Sequence, residues 1–505
     1  MKFDSVFART RRMWLWLWFI PVYAAVVSDL NALDLKALLT DEDIHWASNT
    51  SISFPDVGGF ANVTERWTVF KPPTYLAAIS PGAEADVVKS VKIARSNNIP
   101  FLPTGGRHGY ITTLGNIQNG LAIDLSHFNS VSLDDRTGTL TVGGGTRVRD
   151  FLDIVYNAGF EVPIGSCSCP GYVGVSIGAG IGRWQGLYGL VTDALLSVRL
   201  ITADGRLVEA SEDTNADLFW GIRGAGANFG IITSATFKLS RPVSGGQITN
   251  FDFIIPAELT SDYFNALQSF NGSLPSKLAT VTAIEYNETI GEPQVMANWV
   301  YMGPKAEAMK AVVPILNLKP PITQITNVSW NKFLYVAGFG MDVGLCDNGL
   351  ARRIYSANVL NLSAPTYDMA FKKMTTFFND YPSARGSAVT FEIFPNQAMS
   401  SVPNNATAYP WRDALGNMII QFIWSGQASS DLDGRTSVLG RELRDDFVAT
   451  SGYPGLSVYV NYAYGDETIE QIYGSEKLPR LAALKKTWDP DNVFAYNIPL
   501  PTEYP

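Results

Sequence analysis

The chain has 505 residues, too many for one compact core, so two lobes are expected. Apolar residues make up 46% and charged residues 17%, which is the balance of a globular protein and argues against intrinsic disorder. The net charge of −9, with no basic face visible in the sequence, argues against a nucleic-acid binder.

In chain order, the first feature is a targeting segment. Lys2, Arg9, Arg11 and Arg12 precede an apolar stretch over 13–27, and Ala24, Ala25 and Ser28 supply the small residues of a cleavage site. The stretch is short for a membrane span, so residues 1–25 are expected to be a secretory signal peptide, with an uncleaved signal anchor as the alternative. After cleavage no stable membrane insertion is expected. Seven N-glycosylation sequons follow, at Asn49, Asn62, Asn271, Asn287, Asn327, Asn361 and Asn405. Together with the signal they predict a secreted, glycosylated protein.

Helical spacing over 83–98 leads into a strand at 99–103 and a glycine-rich loop. Strands are predicted at 121–125, 139–142, 195–202 and 231–239, and a helix at 148–157 that ends at Gly159. This α/β lobe ends near Pro242. From about 248 to 449, strands such as 389–394 and 418–424 alternate with helices such as 364–379, the texture of an α+β lobe with an antiparallel sheet. The tail from Tyr459 onward is predicted to hold a strand, a helix and an aromatic close.

Three motifs carry chemistry. In PTGGRHGY (103–110) two glycines let the backbone approach a ligand, Arg107 offers charge and donors, and His108 offers a nucleophilic imidazole. Taken alone, a single histidine is more often an ordinary hydrogen-bonded one. GSCSCPG (165–171) is followed by Gly174, Gly178, Gly180, Gly182, Gly186 and Gly189, a density of small residues that suits a cofactor pressed on the main chain. The spacing is not that of a dinucleotide fingerprint, and no acidic ribose partner follows, so a Rossmann NAD site is disfavoured. In DLFWGIRGAGANFGI (217–231) a short helix breaks at Gly224, Gly226 and Gly230 before a strand, a turn able to hold a pyrophosphate. The three cysteines, Cys167, Cys169 and Cys346, are too few for a disulfide framework, and Cys167 and Cys169 stand too close for an easy mutual bridge. Another role is expected for at least one of them.

In this order the three motifs resemble the FAD-binding domain of the vanillyl-alcohol-oxidase and p-cresol-methylhydroxylase type. The closer likeness is to berberine bridge enzyme-like FAD-linked oxidases, particularly their fungal relatives. It covers roughly 69–242 and returns in YVNY (459–462) and WDPDNVF (488–494), while 391–412 resembles the family's substrate-lobe loop. The resemblance implies an α+β, two-lobe FAD-binding fold. Its parts would be an FAD-binding domain over 68–242, an antiparallel-sheet substrate lobe over 243–450, and a berberine-bridge-like segment over 451–505 that returns to the FAD lobe.

The resemblance also assigns residues. His108 matches the histidine that the family bonds to the flavin 8α-methyl group, although here Arg107 is inserted between the second glycine and the histidine. Cys167 matches a cysteine bonded to flavin C6, Cys169 is the alternative, and a flavin attached through histidine alone is a third reading. Implied cofactor contacts are Gly105, Gly106, Arg107, Gly109, Gly174, Gly178, Gly180, Gly226, Gly230, Ile231 and Asn461. Gln421 stands where some relatives carry a catalytic glutamate, but an amide does not accept a proton at working pH. Tyr110 and Tyr188 match active-site tyrosines of other relatives, whose activating lysine is replaced here by Ile419. Tyr188, Tyr110 and Gln421 are therefore the predicted catalytic residues, with Glu392 and Tyr462 in reserve, and Trp220 and Phe229 are predicted core. No metal site is expected.

The expected function is that of an FAD-dependent oxidase. It would take hydride from a small organic substrate such as an alcohol, a sugar or a secondary-metabolite intermediate, and pass electrons to oxygen to give hydrogen peroxide. A dehydrogenase with another acceptor, or an inert secreted binding protein on the same fold, are the alternatives.

Overall fold

A computed structural model describes residues 32–56 and 58–505. The predicted signal segment lies outside the described residues. Three sheets organise them. A four-stranded sheet runs Ser51–Ser53, Tyr75–Ser80, Gly120–Asp124, Phe101–Thr104; its first pair is antiparallel and the rest parallel. A five-stranded antiparallel sheet runs Val131–Asp134, Thr139–Gly143, Ile231–Lys238, Leu195–Ile201, Leu207–Ser211. A seven-stranded antiparallel sheet begins Ile322–Ser329, Gln247–Pro256, Glu292–Tyr301, Leu278–Asn287 and continues Ala388–Ile393, Gly416–Trp424, Ala351–Val359. The fold is α+β, and the long sheet is antiparallel, as the sequence texture implies.

Strand alternation explains how the large sheet serves two purposes. Val295, Ala297 and Trp299 enter the core on one face, as do Phe391 and Ile393, and Met418, Ile420 and Phe422. There they pack with residues of the helices Thr260–Gln268, Ala364–Asp380 and Ser430–Thr450. The alternate positions Met296 and Asn298, Thr390 and Glu392, and Ile419 and Gln421 face the other way and line a cavity. A one-residue slip of any of these strands would exchange the two sets.

The tail joins the first lobe's core. Ile472, Tyr473, Leu478, Leu481 and Leu484 pack with Leu218, Phe219 and Ile222 in the same apolar cluster. The WDPDNVF segment works through a buried ion pair: Lys485 Nζ bonds Asp489 at 2.6 Å, and Asp489 accepts the backbone N–H groups of Val493 and Phe494. Asn228 ties this tail to the glycine turn by accepting from Leu500 N at 2.9 Å. The predicted tail strand does not form. Val460–Tyr462 is a single 3-10 turn whose Tyr462 N–H bonds Tyr459 O at 2.7 Å; it packs beside the edge strand Ala351–Val359, where Ser356 Oγ donates to Tyr462 O at 2.9 Å, without joining the ladder. The predicted helix at 148–157 is likewise split, into a 3-10 turn Val148–Asp150 and a helix Leu152–Asn157.

Candidate active site

The strand Phe101–Thr104 delivers the chain into the first motif, where two glycines allow backbone to cross backbone. A Cβ on Gly105 would lie 2.5 Å from Gly144 O, and one on Gly106 would lie 2.1 Å from Gly171 N. Arg107 then takes a left-handed φ of 58°. Its guanidinium pairs with the buried Asp124 at 2.8 Å and donates to Asn62 O at 2.9 Å. The inserted arginine is thus absorbed by a local ion pair, and its charge is not free for a ligand.

His108 stands on the wall between two cavities. The first, of about 320 Å³, is lined by all three glycine motifs and by the tail. The second, of about 240 Å³, lies against the seven-stranded sheet. His108, Tyr110, Pro170, Val175, Asn461 and Tyr462 line both. The imidazole stacks on Trp67, with ring centroids 5.2 Å apart. Burial, reinforced by Arg147, Arg352, Arg66 and Arg149, lowers its pKa to about 3, so it is neutral and keeps a nucleophilic lone pair at neutral pH.

Of the predicted cofactor contacts, Gly105, Gly106, Gly109, Gly174, Gly178, Gly226, Gly230, Ile231 and Asn461 line the first cavity, and Arg107 also borders it. Gly180 does not. Its φ of 78° and its packing on Val191 serve the loop, and its N–H is taken by the Tyr459 hydroxyl at 3.0 Å. The glycine turn of the third motif is explained by Gly224, whose φ of 137° carries the chain past Tyr409 N, 2.3 Å from where a Cβ would stand. Trp220 and Phe229 are buried core, as predicted.

Cysteine chemistry divides cleanly. Cys169 and Cys346 form a disulfide across a separation of 177 residues, which removes Cys169 as a flavin ligand; it is a single bridge, not a framework, and it does not join Cys167 to Cys169. Cysteines far apart in sequence meet because the helical turn Asp342–Leu345 folds over the loop at 165–171; Ser168 N and Oγ both bond the Asp342 carboxylate. Cys167 is the free thiol, lines the second cavity, and lies 3.1 Å from Cys169 Sγ. Burial pushes its pKa up to about 12. Because the bridge closes so long a loop, Cys346→Ser is expected to lower unfolding stability by about 2–4 kcal/mol in urea denaturation, while Cys167→Ser leaves it within error.

The predicted proton acceptors separate as well. Tyr188 ends a short helix, Gln185–Tyr188, that turns its ring away from both cavities. Its hydroxyl donates to the buried Glu161 at 2.9 Å, and burial together with that carboxylate raises its pKa rather than lowering it. Tyr188 is therefore packing and not a base. Tyr110 and Gln421 do face the second cavity. Tyr110 has its pKa pushed up by burial, with Glu392 adding to it, so it is not an acidified phenol either. Two carboxylates line that cavity; Asp342 is held by Ser168 N and Oγ, which leaves Glu392 as the candidate proton acceptor. Its carboxylate receives the Tyr462 hydroxyl at 2.9 Å, and burial raises its pKa. Tyr462 in turn stacks with Tyr110 at 6.5 Å between centroids. Sequence reasoning missed Arg66, Arg183 and Asn298. Arg183, one charged residue inside the apolar glycine-rich run, is the signal that was there to be found.

A fold with a glycine-walled nucleotide cavity joined to a second cavity holding a neutral histidine, a carboxylate and phenols defines a flavin-dependent oxidoreductase. Comparison with known proteins agrees. The family model described as "FAD binding domain" matches residues 75–211, and that described as "Berberine and berberine like" matches 458–501. The chain is 47% identical over 476 residues to FAD-linked oxidoreductase fogF of Aspergillus ruber (strain CBS 135680), covering 94% of this chain and 96% of the relative. It is 47% identical over 473 residues to FAD-linked oxidoreductase srdI of Neurospora crassa, covering 94% of each. Among solved structures, Physcomitrella patens BBE-like 1 superposes with a TM-score of 0.78 at 23% identity over 90% of this chain and 98% of that one. Xylooligosaccharide oxidase from Myceliophthora thermophila C1 does so with a TM-score of 0.77 at 22% identity, over the same shares. The chain belongs to the berberine-bridge-like FAD-linked oxidoreductases, and it is an FAD enzyme.

The first cavity fits that cofactor. A Cβ on Gly174, which lines it, would meet nothing within 4 Å, so the main chain there is bare toward the space. Arg66 Nη1 and Thr104 Oγ1, both buried in residues lining it, have no hydrogen-bond partner among the described residues. A cation and a hydroxyl left without acceptors are what phosphate and ribose oxygens would complete.

Proposed function

We propose that the enzyme is an oxidase of a small organic molecule held in the second cavity, with FAD attached covalently through His108. The supporting observation is the position of His108, a neutral imidazole on the wall common to both cavities. Cys167 is the sulfur available for a second attachment. FAD held there would supply the acceptor for a hydride from the substrate carbon and the route for its electron pair to oxygen, with hydrogen peroxide as product. Tyr462 and Glu392 handle the accompanying proton. The substrate hydroxyl donates to the Tyr462 oxygen as the Tyr462 proton passes along its 2.9 Å hydrogen bond to Glu392. The substrate loses a hydride and a proton; Glu392 holds the proton and gives it up as hydride, proton and oxygen combine into hydrogen peroxide, which returns Glu392 to its ionised form. Gln421 cannot replace Glu392 but can orient the substrate from the neighbouring strand.

The relatives named above carry no substrate in their names, and the likeness to the solved structures is one of fold. The secretory reading is supported by six of the seven sequon asparagines, all but the half-buried Asn287, being exposed. The test of oxidase function is oxygen uptake with the purified yellow protein, over a panel of aromatic alcohols, hydroxy acids and sugars. A productive substrate is expected to consume oxygen and release an equal amount of peroxide. Anaerobic bleaching of the flavin without aerobic oxygen uptake would instead establish a dehydrogenase, and a colourless protein would establish an inert one.

A further inference from the structure

Arg183 lies in the glycine-rich run but its side chain enters the second cavity. It is 3% exposed. Nη2 donates to Asn298 Oδ1 at 2.8 Å, and Asn298 is fixed in that orientation because its own Nδ2 donates to Asn250 Oδ1 and Asp252 Oδ1. Nε and Nη1 have no hydrogen-bond partner among the described residues. Among the described residues Arg183 makes no ion pair within 4 Å; the faces of Phe333 and Phe394 flank it, and the Glu392 and Asp252 carboxylates and Tyr462 act on its charge from farther off. A guanidinium stays charged in proteins, and a buried charge with two unmet donors is costly unless something brings an acceptor to it.

Its position relative to the proton acceptor is set by the sheet. Asn298 pairs with Val281, and Val281 pairs with Glu392, so the arginine's anchor and the carboxylate stand in one row, two strands apart. Two strand spacings are roughly 10 Å, the length of a small aromatic or polyketide-sized molecule. We propose that Arg183 binds the substrate through an anionic oxygen, a carboxylate or a phenolate, and that this contact directs the opposite end of the molecule toward Tyr462 and Glu392. The proposal rests on the second cavity being the substrate site, and it narrows the substrate class from small organic molecules to small organic anions.

Other charged groups near the cavity do not duplicate this role. Arg66 lines the first cavity, and Arg352 is engaged by the Trp67 and Asp347 carbonyls. The apolar lining from Ile181, Val281, Met296, Leu334 and Ile354 supplies the body of the pocket but no acceptor for a cation.

The test uses the full-length, flavin-loaded protein and calorimetric titration with benzoate and its neutral isostere benzamide. Benzoate is expected to bind at least tenfold more tightly. Arg183→Met is expected to abolish that preference with flavin content unchanged, and Arg183→Lys to weaken benzoate several-fold while leaving benzamide alone. Titration with 4-nitrophenolate, set against benzoate, tells whether the site favours phenolate or carboxylate. Equal binding of benzoate and benzamide to the wild type overturns the proposal, as does a preference that survives Arg183→Met. Should Arg183→Met not fold, the wild-type preference and the Arg183→Lys loss decide the matter. Flavin absorbance is read separately, so a failed oxidase reading, with no flavin or no turnover, is not confused with a failed anion site.

Discussion

In the Cys167→Ser background, replacing His108 by alanine is expected to move essentially all of the flavin from the acid-precipitated pellet into the supernatant. The pellet of Cys167→Ser alone should stay yellow. The background matters because Cys167 is the other residue able to hold the ring covalently, and Ser removes that route without altering the Cys169–Cys346 bridge. Mass measurement of the denatured proteins checks the result: the single variant should carry the added mass of FAD and the double variant should not. A yellow double-variant pellet would sink the assignment. The expectation rests on an imidazole held neutral by burial and by four arginines, since a protonated histidine has no lone pair to form the bond.

The second large effect concerns proton transfer. Glu392→Gln is expected to slow anaerobic flavin reduction by about a hundredfold or more in stopped flow, the usual range for loss of a general base. Tyr462→Phe should have a comparable effect, because it breaks the path between substrate and carboxylate. In the wild type the rate should fall as pH drops through the raised pKa of Glu392, since only the ionised carboxylate accepts a proton, and Glu392→Gln should remove that inflection. Tyr188→Phe, by contrast, should reduce at a near-normal rate. A normal rate in Glu392→Gln would remove the carboxylate from the mechanism.

Much of this molecule was legible in the sequence because glycine has few other reasons to be so dense. The three motifs at 103–110, 165–171 and 217–231 converge on one cavity, and one histidine among three sits in them. Strand periods exposed the large sheet. What stayed hidden was pairing at a distance. Tyr462 and Glu392 are 70 residues apart, one in the tail and one in the sheet, and nothing local marks them as partners. Cys169 and Cys346 are separated by still more. Tyr188 misled for the opposite reason: its neighbours Gly186 and Gly189 belong to the glycine-rich run, but a four-residue helix turns its ring toward Glu161 instead. Alternation along a strand says which residues share a face. It does not say that Asn298 on one strand and Glu392 on another fall in the same row, which depends on register.

The tail's place in both cavities has a consequence for how the protein matures. Asn461 and Tyr462 wall each of them, and Tyr473, Phe494 and Asn497 close the first. These residues are made after the glycine motifs they cover. Neither chamber is complete until this segment has been made and folded back, so cofactor capture is expected to wait on the tail, and a message truncated before these codons is expected to yield a protein that cannot acquire its colour.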